Sequence, residues 1–432
     1  MGMARTSAAV CRGLDAIGIN PANLGYTDDA TIMFTILPPT GLHVGSDFFD
    51  YDLYTSYFTG DEAGNGKYLN DNDKKRILEM FPGGLSSTYL DINSKIFSLM
   101  VHDGRWGSIG ISVEERASLQ MTIPEEYLKF LLEGNPAGSS YDFTETDFRA
   151  MWTREYSVSY GRHILPLIWV KSMTAGITLK LIQGIGYAEV VRNDTRFSTN
   201  GNSALQGQVD FQTRAAGVDF LAGDSGLSFT PFPAPAGTGY GLDLGISGDI
   251  DDSWSAAIAL VDIGSITWRR NTREITGFTK LTLDDPFLGH QVDTLKDALK
   301  GESRPGGEFS TGLPTTLRIG VAYHLYGPSP DAELSRAELL LLAFDYNQGL
   351  TSYPGTTTSP RVSFGLEYKL SNSFPLRTGL SFGGTDKANV GFGFGLHFGP
   401  WELDFATENL GAVFFPQSFR HASLALGSRL KF

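Results

Sequence analysis

The chain of 432 residues has one cysteine, Cys11, so it can hold neither an internal disulfide framework nor a thiolate metal cluster. Charged residues are only 19%, and the balance of 34 basic against 48 acidic side chains gives a formal net charge of −14. No run of Lys and Arg relieves that balance, which argues against nucleic acid as a partner, because binding it takes clustered cations that displace counterions. Apolar runs are short as well. Leu339–Phe344 and Ile164–Val170 are the longest candidates, far below the ~20 apolar residues that a transmembrane helix needs. Met1–Val10 has no apolar core of signal-peptide length, so a secreted protein with this sequence would have lost its signal before this numbering begins. The seven histidines are scattered with no His-Glu-x-x-His helix, and no Ser/His constellation stands out, so neither a metal site, a catalytic residue nor a cofactor is expected.

What the chain does have is glycine (51 residues), aromatics (12%) and alternation. Val362, Phe364, Leu366, Tyr368 and Leu370 alternate with Arg361, Ser363, Gly365, Glu367 and Lys369. Leu376, Thr378, Leu380 and Phe382 alternate with Arg377, Gly379 and Ser381, and Val390, Phe392, Phe394, Leu396 and Phe398 with Gly391, Gly393, Gly395 and His397. Past Gly399-Pro400, Trp401, Leu403 and Phe405 oppose Glu402, Asp404 and Glu408; the last segment sets Leu424, Leu426, Leu430 and Phe432 against Ser423, Gly427, Arg429 and Lys431. Strand side chains change face at every residue, so each segment has one apolar face and one polar or glycine face. The segments approach the ~9–11 residues that cross a bilayer at a tilt, and aromatics fall at their ends, where a girdle would sit.

Upstream, Ile109–Glu114, Thr153–Tyr160, Thr174–Ile182, Gln208–Phe220, Tyr240–Ile246, Ala256–Asp262, Thr316–Leu325 and Glu338–Tyr346 repeat the pattern. With Thr31–Phe49 as one strand kinked at Pro38-Pro39, the reading is an all-β transmembrane antiparallel barrel of about 14 strands, or 16, the even number a single-chain barrel favours. Phe432 then closes the barrel and carries its assembly signal. Helices are expected in long extracellular loops near 69–84, 124–135 and 284–300. Pro231–Gly239 reads as an extended connection.

Residues 1–28 do not alternate, and they break at Asn20-Pro21-Ala22. With Gly13–Ala16 before that turn and Leu24-Gly25 after it, the segment resembles the N-terminal signature of FadL-like outer-membrane transporters and the related PorV proteins. Gly239–Gly245, Val261–Trp268 and Leu313–Leu325 are similar to an uncharacterised branch of that superfamily from Bacteroidota-type bacteria. The resemblance implies an outer-membrane barrel over 29–432 with a plug at 1–28, of which Asn20, Pro21 and Ala22 are elements. It implies membrane lipid around the wall and passive uptake of a hydrophobic small molecule. The alternative it leaves open is a non-transporting accessory or anchor subunit of an outer-membrane assembly such as type IX secretion, with an outer-membrane or secreted protein as partner.

Within that frame Gly365, Gly379, Gly391, Gly393 and Gly395 form a glycine wall facing the lumen. It either makes room for the plug or lets the sheet bend. Arg377, Glu402 and Asp404 face inward with the other charges, where a salt-bridge layer is a simpler reading than acid–base chemistry. Tyr127, Leu128, Leu131 and Leu132 share a side of a loop helix; they would either receive a greasy ligand at the barrel mouth or pack on its rim. Asp71–Asp73 reads as helix capping, and Asp249, Asp251 and Asp252 as a solvated turn, rather than cation sites.

Overall fold

A computed structural model describes residues 1–26, 31–60, 67–218, 233–284, 286, 289–327, 337–371, 373–414 and 420–432. The end of the Gln208–Phe220 segment, the start of Pro231–Gly239 and the last two residues of 1–28 lie outside them.

Fourteen antiparallel strands close into a barrel. In chain order they are β1 (Ile32–Thr35, resumed at Thr40–Ser46), β2 (Leu85–Asp103), β3 (Gly107–Pro124), β4 (Asp147–Ile164), β5 (Ser172–Asn193), β6 (Gly237–Asp249) and β7 (Trp254–Trp268). The circuit continues through β8 (Thr316–Gly327), β9 (Ala337–Gly349), β10 (Arg361–Ser371), β11 (Phe374–Gly383), β12 (Ala388–Phe398), β13 (Trp401–Thr407) and β14 (His421–Lys431). Both parts of β1 pair with the same neighbours, Met33 opposite Lys431 and Thr40 opposite Leu426, so Pro38-Pro39 interrupts one strand rather than turning a hairpin. Phe432 finishes the seam: its backbone exchanges hydrogen bonds with Ile32 at 2.9 Å, and its ring stacks on Phe34 with centroids 6.1 Å apart.

Alternation decides which face meets which solvent. Ile109, Ile111, Val158, Leu179, Ile258, Phe364, Phe382 and Leu424 point outward and are exposed, forming an apolar band with no protein to cover it. An exposed band of this kind is stable only against a bilayer. Among the described residues no helix is long and apolar enough to cross a membrane; the crossing is made by strands.

One barrel end carries short turns (103–107, 249–254, 398–401) and the seam; the other carries the long insertions. At the long-loop end β5 runs past the barrel, and its last residues pair with Leu205–Ala216, which pairs in turn with Thr272–Leu283. Among the described residues the three longest helices sit there: α1 (Asp71–Glu79), α2 (Glu126–Glu133) and α3 (Gly289–Lys300). The start of α1 is held by a capping box, in which Asn70 Oδ1 accepts from Asn72 N and Asp73 N, both at 3.0 Å.

Candidate functional site: the lumen and the N-terminal segment

Residues 1–26 form no strand and lie against the inner wall. Two short 3₁₀ turns, Gly13–Ala16 and Pro21–Gly25, give the segment its shape. Asn20 caps the second turn: its Oδ1 accepts from Ala22 N at 3.1 Å, and Pro21 takes the first helical position, where a missing N–H costs nothing. Asn20 Nδ2 donates to Ala8 O at 3.0 Å and to Ser247 Oγ of β6 at 2.9 Å. Asn23 Nδ2 reaches the same Ala8 carbonyl at 3.0 Å, and Ser247 Oγ donates to Asn23 Oδ1 at 2.5 Å. Both asparagines and Ala22 are fully buried. A second anchor is Asp345 on β9, whose Oδ2 accepts Ser7 N at 2.7 Å and Ala8 N at 2.8 Å. Cys11, Leu14, Ile17 and Leu24 pack with Met33 and Met100. Burial pushes the Cys11 thiol up to about 11.

Glycines make the seat. Gly161 of β4, Gly176 of β5 and Gly245 of β6 stand in one cross-strand row, and Gly365, Gly379 and Gly391 of β10, β11 and β12 in another. A methyl group built on Gly379 would lie 2.5 Å from the carbonyl carbon of Met3, on Gly391 2.7 Å from Ala4 N, and on Gly161 2.6 Å from Pro21 O. On Gly176 it would run into the backbone of Pro21, and on Gly245 into the Asn20 side chain. Close backbone approach thus explains these positions directly. The wall read from the sequence divides here. Gly365, Gly379, Gly391 and Gly393 touch the segment, but a side chain on Gly395 would meet His397, Asp404 and Pro375 instead. The Gly161–Gly176–Gly245 row was not singled out in the sequence, because Gly245 lies far along the chain from Gly161 and Gly176 and the alignment of all three depends on register.

Two of the networks among the inward charges stand out. Near the seam, Arg377 bridges Glu367 at 2.6 Å and Asp404 at 2.5 Å, Lys431 reaches Glu402 at 2.9 Å, and Arg429 pairs with Glu402 and with Asp15 of the N-terminal segment. Arg377, Glu402 and Asp404 are therefore brought together as one salt-bridge layer, and the layer grips the segment through Asp15. The other network has no warning in the sequence. Lys180 of β5 is buried against Asp243 at 3.0 Å and against Asp262, while Arg116 of β3 meets Asp262 at 3.0 Å and Glu155 at 3.1 Å. Asp262 adopts a left-handed backbone (φ 58°) at a bulge in β7, where Val261 and Asp262 together face Asp243 of β6, a local irregularity that alternation does not forecast.

Arg361 joins neither layer. With Arg5, Arg318, His43, Tyr89 and Asp386 it lines a cavity of about 140 Å³. This space is lined mainly by polar side chains, so this cavity is not an apolar path past Asn20–Ala22. The loop helix is occupied too. Leu128 and Leu132 pack with the Phe48–Leu53–Ile77–Phe81 cluster; Tyr127 turns to Phe143, ring centroids 4.5 Å apart, and stays partly open to solvent; Leu131 is the most exposed of the four. The four residues do not form one open groove, since Leu128 and Leu132 are turned into that cluster while Tyr127 and Leu131 lie outside it.

None of the curated proteins matches the chain. Among solved structures, the TodX deltaS2S3 mutant, a monoaromatic hydrocarbon channel, aligns with 99% of this chain and 96% of its own length, at a TM-score of 0.50 and 11% identity. The Pseudomonas putida toluene transporter TodX aligns over 100% and 97% at 0.47 and 12%, and a Pseudomonas aeruginosa FadL homologue over 100% and 97% at 0.46 and 11%. At such identities the likeness is one of fold, and the fold is FadL-like. The model of the family described as "Family of unknown function (DUF5723)" matches residues 25–408, and the chain belongs to that family.

Proposed function

We propose that the protein is an outer-membrane barrel for the passive uptake of hydrophobic small molecules, with residues 1–28 as its plug. The observation that carries this is the form of the plug's seat. Backbone lies on glycine along two rows, and a small set of polar anchors (Asn20, Asp345, Asp15–Arg429) fixes it. A segment seated this way can leave as a body, because few interdigitated side chains have to be pulled apart. Cargo passes when the plug shifts. The long-loop end faces outward and the seam end faces the periplasm, the usual placement of short turns. No covalent chemistry is required of any residue. The likeness in fold to hydrocarbon channels is consistent with this reading, and no observation favours the secretion-subunit alternative.

Gentle purification from membranes, followed by identification of everything that comes with the protein, tests the reading. The expected result is a bound hydrophobic small molecule and no stoichiometric protein. A ligand-free barrel with a stoichiometric protein partner would overturn it.

A further inference from the structure

Above the plug, His43 of β1, Asp386 and Glu408 converge from three distant parts of the chain, all three buried. His43 Nε2 lies 3.3 Å from Asp386 Oδ2 and 4.0 Å from Glu408 Oε2. Ligand atoms around a tetrahedral ion with bonds of ~2.0–2.1 Å stand about 3.3 Å apart, so small side-chain shifts would close these three on a dication. Glu408 Oε2 has no hydrogen-bond partner among the described residues, although the residue is 2% exposed. An orphaned carboxylate oxygen at that depth calls for a cation or donor. His43 and Asp386 also line the polar cavity, which leaves a fourth position on the solvent side.

The seat is currently taken by an arginine. Arg5 of the plug donates through Nε to Glu408 Oε1 at 2.5 Å and through Nη2 to His43 Nδ1 at 2.9 Å. A guanidinium can only donate, so Nδ1 accepts, and the ring proton sits on Nε2, facing Asp386 and the Tyr89 hydroxyl at 3.2 Å. In that tautomer Nε2 cannot ligate a metal. If Arg5 withdraws, the proton can move to Nδ1 and point at Asp91 Oδ2, 3.9 Å away, which frees the Nε2 lone pair; a carboxylate behind a ligating histidine is the usual second partner. Arg5 and Ala4 both hold left-handed backbones (φ 61° and 50°), a cost that the Arg5 contacts offset. The other His/carboxylate group, His397–Glu402–Asp404, is different: Arg377, Arg429 and Lys431 already neutralise it.

We infer that His43, Asp386 and Glu408 form a site for a divalent transition-metal ion of the zinc class, and that this ion and Arg5 of the plug compete for it. Binding the ion therefore removes one anchor of the plug.

The test uses the full chain in detergent on a Cys11→Ser background, which removes the sole thiol as a rival ligand. Zinc is titrated by calorimetry, and cobalt(II) is added separately to look for the intense absorption of a tetrahedral site. Expected are one zinc per chain, a loss of tenfold or more in affinity for His43→Gln and Glu408→Gln, and a gain of tenfold or more for Arg5→Ala. Equal affinity in Arg5→Ala and the parent would overturn the competition. Binding that survives both ligand substitutions, or a parent protein with no tetrahedral cobalt spectrum, would overturn the site. The cobalt measurement needs no substitution of a ligand residue or of Arg5, so it decides even where one of those prevents folding.

Discussion

Asn20→Ala should loosen the plug by an amount that can be worked out from the structure. The side chain makes three hydrogen bonds, to Ala8 O, Ser247 Oγ and Ala22 N. Asn23 still serves Ala8 O and Ser247 Oγ after the substitution, so Ala22 N is the group left orphaned. At about 1 kcal/mol net per neutral hydrogen bond, the seated state loses about 2–3 kcal/mol. Every 1.4 kcal/mol is tenfold, so the unseated population rises by roughly 30- to 150-fold. Cys11, buried in the plug, is the native reporter. While seated, its raised pKa leaves about 0.1% thiolate at pH 8, against about a quarter for a free thiol near 8.5. Maleimide labelling of Cys11 under conditions where the barrel stays folded should therefore accelerate in Asn20→Ala by that same factor. Leu131→Ala, at an exposed loop position, should leave the rate unchanged. A labelling rate in Asn20→Ala within threefold of the parent would refute the idea that these bonds hold the plug.

The glycine seat makes a paired prediction. Gly379→Leu and Gly391→Leu should speed Cys11 labelling, because overpacking costs ~1–3 kcal/mol, whereas Gly395→Leu should not, since its neighbours are His397, Asp404 and Pro375. Equal rates in all three would show that the glycines serve curvature instead. Lys180→Met strands Asp243 beside Asp262 and should destabilise the barrel by about 3–5 kcal/mol, seen as a lower temperature for the heat-dependent mobility shift on gels; an unchanged temperature would mean the network is solvated. Deleting Phe432 removes the stack on Phe34 and the backbone bonds to Ile32, and should lower the folded fraction recovered in membranes; full recovery would contradict its place at the seam.

The barrel was legible because period-two alternation is a local property: Val362–Leu370 or Val390–Phe398 shows both faces without knowledge of a neighbour. The kink at Pro38-Pro39 was legible for the same reason, since proline's missing donor is a property of the residue. The lumen was legible only in part. Arg377, Glu402 and Asp404 stood out because they share a short stretch of chain with their partners. Lys180 meets Asp243 and Asp262 only through the β5–β6–β7 register, and His43 meets Asp386 and Glu408 only once the barrel closes. Gly395 fits the alternation as well as Gly393 does, and differs from it only in lying beyond the reach of the plug. The helix bearing Tyr127–Leu132 is legible in the sequence, but its apolar side is divided: Leu128 and Leu132 pack into a cluster from the preceding long loop, and Tyr127 onto Phe143 of its own loop.

The central claim, that the N-terminal segment is a plug whose movement admits cargo, is tested most directly by locking it. A methyl group built on Gly320 would sit 2.5 Å from Asp345 Oδ1 and 2.9 Å from Ala8 Cβ, so Ala8→Cys with Gly320→Cys, on a Cys11→Ser background, can be joined once the Asp345 side chain gives way and the two backbones separate by about 1 Å. Uptake of a labelled aromatic hydrocarbon is then followed in host cells that lack such channels, before and after reduction. The account predicts little uptake when the disulfide is closed and rapid uptake when it is reduced; the same rate in both states would contradict it.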